Sequence, residues 1–149
     1  MFAGRYDHAL DEKGRTMMPK RFRDRLAVTG DRSVWITNAL DGQQHLEVRP
    51  NGAFAAHIEK VSKLKATPEV REYRRLYIGA AMEVEIDGAG RLLVPASLRQ
   101  KIGLTDKITF VGTGVDAFEI WNPEALDQRF SDAQTNAATI LDHLAEQGI

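Results

Sequence analysis

Polar and apolar residues alternate cleanly over Met82-Glu83-Val84-Glu85-Ile86. A period of two predicts a strand with Met82, Val84 and Ile86 on its buried face. A weaker alternation runs from Asp7 to Leu10. Both stretches lead at once into one kind of phrase. The first reads Asp11-Glu12-Lys13-Gly14-Arg15-Thr16-Met17-Met18-Pro19. The second, 76 residues further on, reads Asp87-Gly88-Ala89-Gly90-Arg91-Leu92-Leu93-Val94-Pro95. Asp at the head of such a phrase accepts hydrogen bonds from amides two residues on, and Gly supplies a positive φ, so each phrase predicts a tight turn. Thr16–Met18 and Leu92–Val94 then predict a second strand, stopped by Pro19 and Pro95. The expectation is a strand–turn–strand hairpin in each copy, with Arg15 and Arg91 the first residues to leave the turns.

Beyond the prolines the period changes. Phe22 and Leu26 in one copy, and Leu98 and Ile102 in the other, lie four residues apart and predict a short helix started by Pro. Ser33–Thr37 with Leu46–Val48, and Ile108–Val111 with Phe118–Trp121, predict two further strand pairs, turning at Asp41-Gly42 and Gly112-Thr113-Gly114. A helix with Phe54, Ile58, Val61 and Leu64 on one face ends the first copy. A helix capped by Asn122, opened by Pro123 and carrying Leu126 and Phe130 ends the second. Between them Thr67, Pro68 and Glu69 open a linker helix, with Val70, Tyr73, Leu76 and Tyr77 on its apolar face and Arg71, Arg74 and Arg75 opposite. The polar, Ala-rich tail holds a weaker helical stretch from Ala138 to Leu144.

These elements divide the chain into a first repeat (1–65), a linker helix (66–77), a second repeat (78–130) and a tail (131–149). No low-complexity linker separates the copies, so one co-folded body is expected. Its class is α+β, mainly β. Each half alone would leave unpaired strand edges. Pairing the two copies about an internal two-fold axis removes that liability.

Composition narrows the chemistry. A chain of 149 residues can bury about 70% of its unfolded surface without staples. The absence of Cys excludes disulfides, thiolate metal sites and Cys nucleophiles. No signal-peptide core or membrane-length apolar run occurs, so a soluble, cytoplasmic protein is expected. His8, His45, His57 and His143 show no metal-binding spacing, and neither a P-loop nor a Gly-x-Ser-x-Gly elbow is present. No catalytic residue, metal or cofactor is therefore expected. The net charge is −1, but residues 1–75 carry +5 and residues 76–149 carry −6. A basic half of this kind is what an electrostatic footprint for nucleic acid looks like.

The candidate contact residues cluster around the first turn. Arg15 and Arg91 leave their turns at equivalent places, and the first copy surrounds Arg15 with Arg5, Lys13, Lys20, Arg21, Arg23 and Arg25. The second copy has Ala89, Ala96 and Ser97 where the first has Lys13, Lys20 and Arg21. The planar guanidinium suits phosphate and the guanine edge, and a β-ribbon is narrow enough for the major groove. A second reading stays open, in which each Arg pairs with the Asp four residues earlier and is structural. Asp11, Gly14, Asp87 and Gly90 are assigned to turn geometry.

The same residues carry a family resemblance. The phrases Asp11…Arg15…Pro19 and Asp87…Arg91…Pro95 resemble the paired Asp-x-x-x-Arg motifs of the MraZ family. The linker Pro68…Arg71…Arg75…Gly79-Ala80 and the opening Met1-Phe2-x-Gly4 fit it too. The resemblance implies a bacterial, nucleoid-associated transcription regulator built from two tandem SpoVT-AbrB-like units in a swapped-hairpin-type β-barrel. It further implies double-stranded DNA as partner, through short direct repeats in the promoter of the protein's own division and cell-wall gene cluster. Rings of about eight subunits would let weak contacts on successive repeats add multivalently. The motif Arg falls on Arg15 and Arg91, and the motif Lys on Lys13, with Ala89 in its place in the second copy. Two rival readings remain open: an oligomeric assembly module that binds an acidic protein, and an RNA-binding module.

Overall fold

The computed structural model describes residues 1–42 and 44–149. Strands β1 (Arg5–Ala9) and β2 (Arg15–Met17) flank the first turn, and helix α1 (Lys20–Thr29) follows Pro19. Strands β3 (Ser33–Asn38) and β4 (His45–Pro50) form an antiparallel pair ahead of α2 (Asn51–Ser62). The linker holds α3 (Pro68–Tyr73), which continues as a π-helical turn over Arg74–Ile78. The second repeat runs β5 (Met82–Glu85), β6 (Arg91–Leu93), α4 (Ala96–Lys101), β7 (Lys107–Gly112) and β8 (Phe118–Trp121). Helices α5 (Pro123–Thr135) and α6 (Ala137–Glu146) complete the chain. The fold is α+β and mainly β, as the periodicities predict.

The expected hairpins are where the structure departs from local reading. The turns form, but β1 does not ladder with β2, nor β5 with β6. Instead β1 pairs with β7, β5 with β3, and β2 with β6, so the strands cross between repeats. A six-stranded antiparallel sheet results, in the order β1-β7-β8-β4-β3-β5, beside a two-stranded ribbon of β2 and β6. The edges β1 and β5 do not ladder with the ribbon among the described residues, so the strands do not close a hydrogen-bonded barrel. Exchange wins because β1 and β5 each find five- and four-residue partners in the other repeat, whereas a within-repeat hairpin would leave β3 and β7 as bare edges.

The internal two-fold axis is visible in register. In the ribbon Thr16 lies opposite Leu92, and in the large sheet Glu47 lies opposite Glu119. Equivalent residues thus face each other at both places. One hydrophobic core serves both repeats. Phe22 of α1 packs edge-on to Phe2 at 5.2 Å and against Phe118 of β8 at 4.8 Å, between ring centroids. Leu92, Val94, Leu98 and Ile102 share that core with Met18, Leu26, Val34 and Ile36. Because the first repeat's helix is buried against the second repeat's strands, each half completes the other.

Several faces expected to be buried are only partly so. Phe54 and Val61 of α2 are buried, but Ile58 and Leu64 are exposed. In the linker Tyr77 is buried while Leu76 is exposed. The cause is the π turn, where the Gly79 N–H donates to the Arg74 carbonyl, five residues back, at 2.7 Å. That extra residue rotates the helix face. The Thr37 hydroxyl and the Asn38 amide hold the new setting by donating to the carbonyls of Tyr77 and Leu76 at 2.5 and 2.7 Å. Arg71 and Arg74 donate to the carbonyls of Ala66 and Val61, so part of the linker's basic face ties down the end of α2. Met82 and Phe130 are likewise exposed. The weaker tail stretch is helical as α6. No helix among the described residues is long and apolar enough to cross a membrane.

Candidate nucleic-acid interface

The two turns are built by one bonding pattern. The Asp11 carboxylate accepts from the Lys13 N–H at 3.0 Å, the Arg15 N–H at 2.8 Å and the Arg15 Nε at 2.9 Å. Asp87 accepts from the Ala89 N–H at 2.9 Å, the Arg91 N–H at 2.8 Å and the Arg91 Nε at 2.8 Å. The Gly14 and Gly90 N–H groups close the turns onto the Asp11 and Asp87 carbonyls, each at 2.9 Å. Both glycines hold a positive φ, 85° and 83°. Hydrogen bonds, first from the Arg15 backbone N–H and then from its guanidinium, hold the Asp11 carboxyl below its ordinary range. The Arg91 backbone and guanidinium do the same for Asp87.

The structural pairing of Arg with Asp is therefore realised in both copies, yet it does not exhaust either Arg. Each uses only its Nε edge on the carboxylate, and among the described residues the Nη groups have no protein partner. Exposed ion pairs of this kind contribute little stability. Their effect is positional: the carboxylate fixes the plane of a guanidinium whose other edge faces solvent. A fixed donor fork loses less freedom on binding.

Period two sorts the ribbon into two faces. Thr16 and Leu92 point inward, 3% and 0% exposed. Arg15, Met17, Arg91 and Leu93 point outward, with Arg15 opposite Leu93 and Met17 opposite Arg91. Arg15 and Arg91 are diagonal neighbours across the two strands, about 7–8 Å apart at that spacing. The turn fixes Lys13 through its backbone and leaves its side chain exposed at the tip. Lys20 and Arg21 are exposed at the start of α1, where Lys20 pairs with Asp24 at 2.9 Å. Arg5 is not brought to this face by any contact among the described residues. Its guanidinium donates to Asp127 of α5 at 2.7 Å and lies near Asp7, at 3.5 Å.

Two further arginines hold the turns, and of these sequence reading placed Arg23 only in the basic cluster around Arg15. Arg99 of α4 crosses to the first turn, donating from Nη1 to the Lys13 carbonyl at 2.9 Å and to its own Val94 carbonyl at 2.7 Å. Arg23 of α1 donates from Nε to the Met18 carbonyl at 3.0 Å and lies over Gly90. A Cβ on Gly14 would meet Arg99 Nη1 at 1.4 Å, and one on Gly90 would meet Arg23 Cδ at 2.6 Å. The backbone repeats this exchange, with Val94 N–H on the Gly14 carbonyl and Met18 N–H on the Gly90 carbonyl. The signal was present in the spacing, since Arg23 and Arg99 are also 76 residues apart.

Duplicated, strand-exchanging repeats thus carry two carboxylate-oriented arginines on the outward face of one two-stranded ribbon. Comparison with known proteins makes the class specific. The chain matches the family described as MraZ protein over residues 1–75 and 77–146. It is 38% identical to the transcriptional regulator MraZ of Lachnoclostridium phytofermentans, covering 100% of this chain and 99% of that one. It is 37% identical to the transcriptional regulator MraZ of Heliobacterium modesticaldum, over 99% of this chain and 96% of that one. The match to the transcriptional regulator MraZ of Finegoldia magna is 34%, over 97% and 96%. This chain belongs to the MraZ family, whose members are regulators of transcription rather than enzymes.

Proposed function

We propose that this chain is a sequence-specific transcriptional regulator that binds double-stranded DNA through the β2–β6 ribbon. The observation that carries the reading is the outward face of that ribbon. Two oriented guanidiniums sit on a two-stranded element of the width that the major groove admits. Arg15 reads a base edge, with guanine the best match for its free fork. Lys13, Lys20 and Arg21 settle the protein on phosphates. Arg91 supplies the second fork on a tip that lacks a Lys. Arg5, held by Asp127, contributes least. Asp11, Gly14, Asp87 and Gly90 keep the turns in shape.

The exchange of strands between repeats supports a swapped-hairpin-type architecture. The targets in this reading are short promoter repeats, those of the protein's own division and cell-wall gene cluster. The exposed apolar residues Leu64, Leu76, Ile140 and Leu141 support self-association. A ring of about eight copies would add weak contacts on successive repeats.

Fluorescence anisotropy tests the reading, with the duplex upstream of the chain's own gene against a shuffled duplex, over a salt series. Tighter binding to the native duplex that falls with salt and is lost in Arg15→Ala supports it. Equal affinity of wild type and Arg15→Ala for both duplexes removes Arg15 as reader. No binding at low salt favours an assembly module with an acidic protein partner.

A further inference from the structure

We propose that Met17 and Leu93 read thymine methyl groups beside the bases addressed by Arg15 and Arg91. The inference rests on the ribbon entering the major groove, as proposed above, and assigns the half of its outward face that the arginines leave unused.

Met17 and Leu93 are 40% and 46% exposed, while their strand neighbours Thr16, Met18, Leu92 and Val94 are buried in or against the core. Exposed apolar side chains scattered singly need no explanation. These two are not scattered. Each lies directly across the ribbon from a motif arginine, Met17 from Arg91 and Leu93 from Arg15. The outward face is thus two arginines on one diagonal and two apolar side chains on the other.

The major groove offers an apolar side chain one specific feature, the thymine C5-methyl, as it offers an arginine the O6 and N7 of guanine. Residues two apart on a strand are about 6.8 Å apart, the rise of about two base pairs. A side chain two residues from Arg15 therefore reaches the groove floor within a few base pairs of the base that Arg15 addresses. The face asks for guanine and thymine in close alternation, and the internal two-fold asks for that pattern twice in opposite senses. Neither Met17 nor Leu93 bonds to the turn machinery, so their chemistry is separable from the placement of the arginines.

The test begins with the best-binding duplex selected from a random-sequence pool by the full-length chain. Each thymine in it is then replaced by deoxyuridine, which removes the methyl and keeps the pairing. Burying one methyl is worth about fourfold in affinity, so one or two positions are expected to weaken binding by about that factor. In Met17→Ala and Leu93→Ala the penalty at the matching position disappears, whereas Met17→Leu and Leu93→Met retain it. Thermal midpoints equal to wild type show that the variants fold. A selected duplex that binds equally with thymine or deoxyuridine overturns the methyl assignment and leaves DNA binding by Arg15 standing. A change of oligomeric mass in the Ala variants, with the deoxyuridine penalty intact, also overturns it and makes the pair a self-association contact. A pool from which no sequence is enriched overturns both readings.

Discussion

Arg99 and Lys13 lie 86 residues apart in sequence, yet Arg99 Nη1 donates to the Lys13 carbonyl at 2.9 Å. The helix of one repeat thereby sets the turn of the other. The exposed Lys13 side chain and the oriented Arg15 guanidinium both depend on a residue that neither neighbours along the chain.

Gly14 is the point of greatest crowding in that arrangement. Gly14→Ala adds a Cβ at a positive φ and drives it into the Arg99 guanidinium. A loss of about 2 kcal/mol is expected from the left-handed backbone and displaced contact together. Gly90→Ala is expected to cost less, because its added Cβ overlaps Arg23 by less, 2.6 Å at the nearest atom against 1.4 Å at Gly14. Denaturant midpoints of the two variants check the order. Equal losses would show that the backbone conformation alone decides.

Acid should loosen both turns. The folded-state pKa values of Asp11 and Asp87 are depressed, so their contribution is present above the unfolded value of about 4 and is lost as pH falls through the folded one. Stability measured from pH 7 down to pH 3 should therefore decline at the acid end. Asp11→Asn combined with Asp87→Asn should flatten that decline. An unchanged acid limb in the double variant would place the titration elsewhere.

Contact chemistry should split by residue type. Arg15→Lys keeps the charge but loses the planar fork, so specific binding should fall about tenfold or more while shuffled DNA is bound nearly as before. Lys13→Ala should weaken both duplexes alike and reduce the salt slope by about one. Anisotropy over a salt series separates the two behaviours.

Asn122 ties the second repeat to its closing helix. Its Oδ1 accepts from the Glu124 and Ala125 N–H groups, and its Nδ2 donates to the Ile102 and Gly103 carbonyls. Asn122→Ala should cost about 1–2 kcal/mol through the lost cap. Asn122→Asp, which keeps the acceptor, should recover part of it in the same thermal melt.

Sequence reading succeeded wherever the cause was local. Asp11 and Asp87 cap their own turns, Pro19 and Pro95 start helices, and the β3–β4 and β7–β8 pairs turn on nearby residues. It failed where the partner is distant. Nothing within residues 5–17 says that β1 prefers β7 to β2, because both pairings bury the same alternate side chains. The repeat did hold a usable clue to the clasp. Arg23 and Arg99 keep their charge at one position in both copies, whereas Lys20 and Arg21 give way to Ala96 and Ser97.

Strand exchange also sets a clock for synthesis. Asp7 of β1 meets Thr109 of β7, 102 residues later in the chain. At ribosomal speeds of about 5–20 residues per second, the first strand leaves the ribosome roughly 5–20 s before its partner exists. During that interval neither repeat can finish, and the nascent β1 edge is open to any other β7 within reach. On a polysome the neighbouring nascent chain is the nearest rival, so the spacing of ribosomes on the message bears on whether each chain closes on itself.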